Sequence, residues 1–231
     1  MKKLGLVGGI SWVSTIDYYR IINEGVNARL GGLNFAECVI VSVNFADFVR
    51  NNTAGDWDAT ADLLSTAAEQ LKRAGAEGIV LCANTAHAVA EQVERAVGLP
   101  LIHVCDATAA AIRAQGLTRV GLLGTQFTME LPFYGERLQA HGIEMLVPDT
   151  QSERDFIQAT IRDELGRGLI LAETKRRYLQ AIEDLLARGA EGIILGCTEL
   201  PLILSQADLA VPAFDTTRIH AEAAVAFALS D

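Results

Sequence analysis

The feature that most constrains the fold is a seven-residue segment that occurs twice. Residues 75–81 read GAEGIVL and residues 189–195 read GAEGIIL, so six of seven residues are identical at an offset of 189 − 75 = 114. Two weaker similarities occur in the same order in both halves of the chain. Residues 4–8 resemble residues 120–124, and residues 106–108 resemble residues 215–217. Three such pairs predict two similar halves related by a pseudo-twofold axis, with a cleft between them.

Each half alternates short apolar runs with longer segments of helical periodicity. The predicted strands are Leu4–Val7, Glu37–Val43, Gly78–Cys82, Leu101–Val104, Val120–Leu123, Gly192–Leu195 and Ala210–Ala213. The predicted helices include Ser14–Ala28, Asp58–Ala74, Ala86–Val97, Gln151–Leu165, Thr174–Ala187 and Thr217–Leu229. Continuous apolar strands between amphipathic helices indicate an α/β protein whose parallel sheets are covered on both faces. Ligands of such sheets bind beyond the carboxyl ends of the strands.

Composition excludes several classes of function. The 231 residues are 50% apolar, which excludes a disordered chain, and 19 Lys+Arg against 29 Asp+Glu give a net charge of −10. No basic cluster suggests a nucleic-acid partner, and no apolar run approaches the ~20 residues that span a bilayer. The apolar start of the chain is interpreted as a first strand rather than a signal peptide, because no small-residue cleavage site follows it.

Cysteine and lysine usage bears on the compartment and on cofactors. The four cysteines (Cys38, Cys82, Cys105 and Cys197) show no Cys-x-x-Cys pair and no zinc-ligand spacing. We therefore expect a reduced, cytoplasmic protein with no metal site. Pyridoxal phosphate requires a Schiff-base lysine, and none of the four lysines (Lys2, Lys3, Lys72 and Lys175) follows a predicted strand, so no cofactor is expected.

The offset also aligns two segments that differ in their chemistry. Cys82-Ala83-Asn84-Thr85 corresponds to Gly196-Cys197-Thr198-Glu199, and each segment ends a strand and opens the next helix. A helix N-terminus favours negative charge and lowers the pKa of a thiol, so Cys197 is a candidate thiolate. The alternatives are that Cys197 is a small buried hydrophobe and that Asn84 and Thr85 only cap a helix.

Several motifs together resemble the aspartate/glutamate racemase family, including its broad-specificity bacterial members. They are Gly8-Gly9-Ile10-Ser11-Trp12 with Ser14-Thr15, Asn84-Thr85-Ala86-His87, Gly124-Thr125 with Thr128-Met129, Gly196-Cys197-Thr198-Glu199, Phe214-Asp215-Thr216 and Ile219-His220-Ala221-Glu222. The resemblance implies two subdomains with mainly four-stranded parallel sheets and an active site in the cleft between them. It places residues 1–98 and 212–231 in the first subdomain and residues 99–211 in the second. It also implies a homodimer.

The resemblance further implies cofactor-independent racemisation of an acidic amino acid by two opposed acid/base residues. Cys197 matches the family's second cysteine, whereas Ala83 occupies the position of the first and can neither give nor take a proton. Four explanations stay open. Cys82 could substitute, although strand alternation points it away from Ala83; Thr85, Ser11 or a water could serve the second face; the reaction could use Cys197 alone; or the alanine could be an engineered change.

Substrate binding is assigned by the same resemblance. The expected contacts to the carboxylates and the amino group of the substrate are Ser11, Asn84, Thr85, Thr125 and Thr198. Arg50 and Arg167 are candidates for the distal carboxylate, with a surface position as the alternative. Glu199 would orient the Cys197 loop or cap the following helix, and His87 and Cys82 would support the Ala83 side or only pack.

Two other functions compete with racemisation of aspartate- or glutamate-like substrates. One is a single-cysteine isomerase or decarboxylase of the same superfamily that acts on a dicarboxylate through Cys197. The other is a catalytically degenerate amino-acid-binding protein that has lost its chemistry with Ala83.

Overall fold

The structure is a computed structural model that describes all 231 residues, and the chain divides into two compact units. Unit 1 comprises Met1–Val104 and Thr217–Asp231, and unit 2 comprises Cys105–Thr216. The boundaries expected from the sequence, after residues 98 and 211, lie a few residues earlier. Unit 2 is therefore an uninterrupted stretch of chain, whereas unit 1 is assembled from two stretches.

Unit 1 contains a four-stranded parallel sheet in the order β2-β1-β3-β4. Its elements are β1 (Leu4–Gly8), α1 (Trp12–Leu30), β2 (Cys38–Ser42), α2 (Phe45–Thr53), α3 (Trp57–Arg73), β3 (Gly78–Leu81), a 3-10 helix (Thr85–Val89), α4 (Ala90–Val97) and β4 (Leu101–Ile102). The last helix of the chain, α10 (Thr216–Ala228), returns to this unit.

Unit 2 repeats the topology, with a parallel sheet in the order β6-β5-β7-β8. Its elements are α5 (Val104–Ala114), β5 (Arg119–Gly124), α6 (Gln126–Glu130), α7 (Pro132–Ala140), β6 (Glu144–Leu146), α8 (Gln151–Asp163), α9 (Ala172–Ala187), β7 (Ile193–Gly196) and β8 (Ala213–Asp215), with 3-10 helices at Leu165–Arg167, Leu200–Leu202 and Gln206–Asp208. The prediction of two α/β halves with four-stranded parallel sheets is confirmed.

The two central strands of unit 1, β1 and β3, are fully buried because helices cover both faces of the sheet there. On one face, Leu81 packs with residues of α3 and α4 such as Leu64 and Val93. On the other face, Val80 packs with Tyr18 of α1, and Val225 of α10 belongs to the same cluster. Burial of a side chain such as Leu or Val stabilises the fold by about 1.5–3 kcal/mol, which makes these two layers the main source of stability in the unit.

The repeated segment builds the same helix-to-strand turn in both units. Gly75 and Gly189 have φ of 87° and 93°, a left-handed conformation that favours glycine. The glutamate two residues later binds backbone N–H groups at the start of the neighbouring strand. Glu77 accepts from the Lys3 N–H at 2.9 Å, and Glu191 accepts from the Thr118 and Arg119 N–H groups at 2.8 and 3.0 Å. The repeat is therefore a structural device that fixes each turn to its sheet.

Two elements near the end of unit 1's first stretch differ from the prediction. Strand β4 ends at Ile102 rather than Val104, because the Val104 N–H donates to Nε2 of His87 and α5 begins at Val104. The helix expected over residues 86–97 is a 3-10 helix followed by α4.

Strand β8 and strand β6 also depart from the prediction. The segment expected as a strand over residues 210–213 is largely loop, since Gln206 binds the Val211 carbonyl and the Ala213 N–H, and β8 begins only after Pro212. Strand β6 was not predicted, because three residues are too short to show a period. None of the helices combines the length and the apolar character that a membrane crossing requires.

Candidate active site

The turn after β1 is fixed by one threonine. Thr15 accepts a hydrogen bond from the Gly9 N–H at 2.9 Å and donates to the Ser11 carbonyl at 3.1 Å. Thr15 lies so close to Gly8 that a Cβ at that glycine would come within 2.5 Å of its methyl group. Ser11 is half-buried and immediately precedes α1, at the carboxyl end of the sheet.

The turn after β3 carries Ala83, Asn84 and Thr85, all of which are buried. The Ala83 carbonyl accepts a hydrogen bond from Nδ1 of His87 at 2.9 Å, and Asn84 is the N-cap residue of the 3-10 helix that starts at Thr85. Because β1 and β3 are hydrogen-bonded neighbours, Ser11 and this turn lie at the same edge of the unit 1 sheet. We call Ser11, Ala83, Asn84 and Thr85 the unit 1 turn cluster.

Cys82 does not belong to this cluster. It is fully buried with Leu6 and Val80 on the face of the sheet that α1 and α10 cover, whereas Ala83 packs on the opposite face with Leu81. Burial raises the pKa of the Cys82 thiol, and the proximity of Cys38 raises it further. As strand alternation predicts, Cys82 points away from the Ala83 side and is a core residue in this structure.

Unit 2 presents a matching set of turns. Thr125 follows β5 and caps α6 by accepting from the Thr128 N–H at 3.3 Å. Cys197, Thr198 and Glu199 follow β7, which is paired with β5, so all four residues lie at one edge of the unit 2 sheet. We call Thr125, Cys197, Thr198 and Glu199 the unit 2 turn cluster.

Glu199 organises this second cluster. Its Oε2 accepts hydrogen bonds from both the Cys197 thiol and the Thr198 hydroxyl, each at 2.8 Å. All three residues are partly exposed as a whole, although the Cys197 thiol itself is buried. One carboxylate oxygen therefore holds the thiol in a single orientation at the mouth of the strand.

The expectation that Cys197 has a lowered pKa is wrong. Burial is the largest cause that raises the pKa of the Cys197 thiol well above its ordinary value, and the charge and hydrogen bond of Glu199 raise it further. Backbone N–H groups of Thr198 and Glu199 lower the pKa but do not compensate. The segment after Cys197 forms only a three-residue 3-10 helix (Leu200–Leu202), so no long helix directs its positive end at the sulfur.

Tyr178 of α9 is a neighbour of this cluster that the sequence did not reveal. It is fully buried, its hydroxyl lies 2.9 Å from that of Thr160, and the nearby Cys197 adds to the effect of burial in raising the pKa of its phenol. In the sequence, Tyr178 occupies an ordinary apolar position of an amphipathic helix. No local signal distinguishes it from a core residue.

The two arginines considered for the distal carboxylate lie at the surface. Arg50 of α2 is 69% exposed and forms an ion pair with Asp47 at 2.7 Å. Arg167 ends a three-residue 3-10 helix and is also exposed. Neither is held by a buried contact, so these positions agree with the surface alternative.

Comparison with known proteins adds a family to these geometric observations. A family model described as Asp/Glu/Hydantoin racemase matches residues 7–224. A Yersinia pestis structure provisionally described as an Asp/Glu racemase is 50% identical, with both chains covered completely and a TM-score of 0.94. An aspartate racemase homologue from Pyrococcus horikoshii is 37% identical over the whole of both chains, with a TM-score of 0.87.

A curated enzyme gives the same result at lower similarity. The broad-specificity amino-acid racemase RacX of Bacillus subtilis is 25% identical over 177 residues, which are 74% of this chain and 73% of RacX. The family model covers nearly the whole chain, including both turn clusters. The family resemblance predicted from the motifs is thus confirmed, and the chain belongs to the Asp/Glu/hydantoin racemase family.

Proposed function

We propose that this protein is a cofactor-independent isomerase that removes and returns the Cα proton of aspartate- or glutamate-like amino acids. The observation that carries the proposal is the hydrogen bond from the Cys197 thiol to the Glu199 carboxylate at the carboxyl end of β7. A thiol paired with a base is the arrangement needed for proton transfer to and from carbon. Membership in a racemase family supports the same class of reaction.

The pair divides the proton transfer into two steps. The thiol proton moves from Sγ of Cys197 to Oε2 of Glu199, and the resulting thiolate takes the proton from Cα of the substrate. Thr198 donates to the same oxygen of Glu199 and helps to hold the carboxylate in place. Because the pKa of Cys197 is raised, its thiolate is a stronger base, and its thiol is the form ready to return a proton to a carbanion.

With Ala83 at the position of the family's first cysteine, the proposed mechanism lacks an assigned proton carrier for the second face of the substrate. A methyl group transfers no proton, so inversion requires another carrier such as the hydroxyl of Thr85 or Ser11, or a water. The same observation favours a second candidate function, in which Cys197 alone serves an isomerase or decarboxylase that acts on a dicarboxylate from one side.

The family resemblance supports the remaining parts of the proposal. Asn84, Thr85, Thr125 and Thr198 bind the carboxylates and the amino group of the substrate, and Arg50 or Arg167 would have to turn inward to bind a distal carboxylate. We further propose that the protein works in the cytoplasm as a homodimer.

The test is exchange of the Cα proton in D2O, followed by proton NMR with L- and D-aspartate and L- and D-glutamate supplied separately. Exchange from both enantiomers with inverted product establishes a racemase. Exchange from one enantiomer without inversion indicates one-sided chemistry.

Two variants accompany this measurement. Cys197→Ser should abolish exchange, whereas Cys38→Ser, which changes another partly exposed cysteine, should leave it intact. If no substrate exchanges although these amino acids raise the melting temperature, the chain is a binding protein and the proposal fails.

A further inference from the structure

Three aromatic side chains form a buried polar network in unit 1. Tyr18 of α1, His87 of the 3-10 helix and His220 of α10 are 1%, 3% and 0% exposed. The rings of His87 and His220 meet edge-on with centroids 5.2 Å apart, and those of Tyr18 and His220 with centroids 5.4 Å apart. Neither the packing of the sheet nor the proposed proton transfer requires two buried imidazoles at this place.

The hydrogen bonds fix which nitrogen of each ring carries the proton. Nε2 of His87 lies 3.3 Å from the Val104 N–H, which can only donate, so the proton of His87 is on Nδ1 and points at the Ala83 carbonyl, 2.9 Å away. Nε2 of His220 lies 2.6 Å from the Ile102 carbonyl, which can only accept, so this nitrogen carries the proton. Nδ1 of His220 then accepts from the Tyr18 hydroxyl at 2.8 Å.

Both rings are therefore neutral with every nitrogen bonded. A second proton on His87 would sit on Nε2 and point at the Val104 N–H, so two donors would face each other. A second proton on His220 would sit on Nδ1 and break the hydrogen bond that this nitrogen accepts from Tyr18. Burial acts in the same direction, as do the charge of His103 on His87 and that of His87 on His220. Together they outweigh the neighbouring backbone carbonyls, of which Ile102 faces both rings, and lower the pKa of each imidazole to about 3.

The partners of the two rings occupy special positions along the chain. The chain leaves unit 1 after Val104 and re-enters it at Thr217. His87 and His220 bind Val104 and Ile102 at the exit, and His220 itself lies three residues after the re-entry. The network thus ties both crossing points of the chain to the turn that begins at Ala83.

The contact with Ala83 determines the direction of a whole peptide group. Because a peptide is planar and trans, holding the Ala83 carbonyl also sets the direction of the Asn84 N–H and the start of the 3-10 helix that carries Thr85. Asn84 and Thr85 are the residues assigned to the substrate in unit 1.

We infer that His87 and His220 are positioning residues, which act as neutral imidazoles of opposite tautomer to orient the Ala83–Thr85 turn for the reaction. This inference rests on the proposed function, because it concerns residues that bind the substrate there. His87 acts directly on the turn, and His220 and Tyr18 hold the exit segment against which His87 is fixed.

The tautomers are tested first, without any measurement of activity. Long-range proton–nitrogen NMR of protein labelled with 15N-histidine should show a protonated Nδ1 for His87 and a protonated Nε2 for His220, with both rings neutral down to about pH 5. His87→Asn and His220→Gln assign the signals by their loss. The reverse tautomer in either ring, or a second proton above about pH 5, overturns the inference.

The positioning role is tested with substitutions that separate the two nitrogens of His87. His87→Ala removes the donor to Ala83 and should lower the rate of Cα exchange about 10–100-fold per folded molecule. His87→Asn can place an amide N–H where Nδ1–H lies and should recover much of the rate, whereas His87→Gln cannot. The pH dependence of exchange should keep its shape in all three variants, because His87 does not titrate in the reaction.

A matched control distinguishes this result from a general effect on folding. His141→Ala changes a histidine of unit 2 that binds Asp106, and it should exchange at the wild-type rate. A folded His87→Ala variant with unchanged exchange, or equal losses in the Asn and Gln variants, overturns the inference. If the wild-type protein exchanges no amino acid, the proposed function fails and the positioning role with it, while the tautomer measurement still decides whether the network exists.

Discussion

At the residue scale, the distance between Cys197 and Glu199 decides which form of the thiol the protein holds. A carboxylate 2.8 Å from the sulfur accepts the thiol proton, but its negative charge also opposes a thiolate beside it. The sequence identifies both residues as candidates. It does not reveal the raised pKa, which depends on the burial of the sulfur and on the side-chain rotamer of Glu199.

Replacing the Glu199 carboxylate should lower the pKa of the Cys197 thiol. In Glu199→Gln, the main charge that raises the pKa of Cys197 is gone, so the pKa falls and more thiolate is present at neutral pH. The pH dependence of alkylation by iodoacetamide, followed at Cys197 by mass spectrometry, should therefore shift to lower pH. Cys38 in the same sample provides an internal control, and an unchanged profile at Cys197 would contradict the assignment of Glu199.

Ala83 offers a complementary prediction of gained function. Ala83→Cys supplies a thiol at the position where the family has its first cysteine, so we expect a protein that exchanges one enantiomer to become able to invert both. Chiral chromatography of the product measures the inversion, and Ala83→Ser is the control of similar size. A folded Cys variant without added inversion would indicate that the native reaction is not a racemisation.

At the scale of elements, the repeat explains why so much of the fold could be predicted. Gly5 of β1 and Gly121 of β5 show the reason: a Cβ on Gly5 would come within 2.8 Å of the Ala76 Cβ, and a Cβ on Gly121 within 2.9 Å of Leu185. Each strand can therefore approach its covering helix or the repeated turn only without a side chain. The same packing requirement therefore places glycine at the equivalent strand position in both halves of the sequence.

This close approach gives a stability prediction. Gly5→Ala should destabilise unit 1 by about 1–3 kcal/mol, because the Ala76 Cβ cannot move without shifting the turn. Urea denaturation measures the loss. Gly135→Ala in α7 is the matched control, since its new methyl would meet only the flexible end of Met145 at 3.3 Å, and helix propensity favours alanine there by up to about 1 kcal/mol.

The two strand boundaries that differ from the prediction, those of β4 and β8, share a physical cause. Strand β4 ends early because a histidine ring takes the Val104 N–H, and β8 starts late because the Gln206 side chain binds the preceding loop. Both are side-chain contacts between positions that are separated along the sequence, and no periodic pattern reports them. The tautomers of His87 and His220 belong to the same class, because they are set by backbone groups far away in the chain.

At the scale of the whole molecule, the two buried histidines couple stability to pH. Their pKa is about 3 in the folded protein, against an ordinary value of 6.5, so the unfolded chain binds protons first as the pH falls. The stability that the two histidines contribute is fully present above about pH 6.5 and is lost progressively as the pH falls toward about 3. The titratable groups that face these rings are His103, whose charge lowers the pKa of His87, His87 itself, whose charge lowers the pKa of His220, and Tyr18, whose hydroxyl donates to His220.

Acidification should therefore weaken the wild-type protein more than a variant that lacks one ring. A histidine of this kind contributes about 1.4 kcal/mol per pH unit below its unfolded pKa, so between about pH 7.5 and about pH 5.5 the free energy of unfolding of His220→Gln should fall by about 1.4 kcal/mol less in total than that of the wild type. Urea denaturation at about pH 7.5 and about pH 5.5 measures both slopes. Equal slopes would show that His220 is already protonated in the folded protein or remains exposed.

The interrupted chain of unit 1 has a consequence for synthesis on the ribosome. Unit 2 is continuous, so it is complete once Thr216 has emerged, although unit 1 was begun earlier. Until α10 follows, one face of the first sheet lacks Ala221, Ala224 and Val225, and Tyr18 lacks His220. The nascent polypeptide therefore carries an uncovered apolar face throughout translation of the second unit, and such surfaces are what chaperones bind. Unit 1 is therefore synthesised first but is the last of the two units to complete its fold.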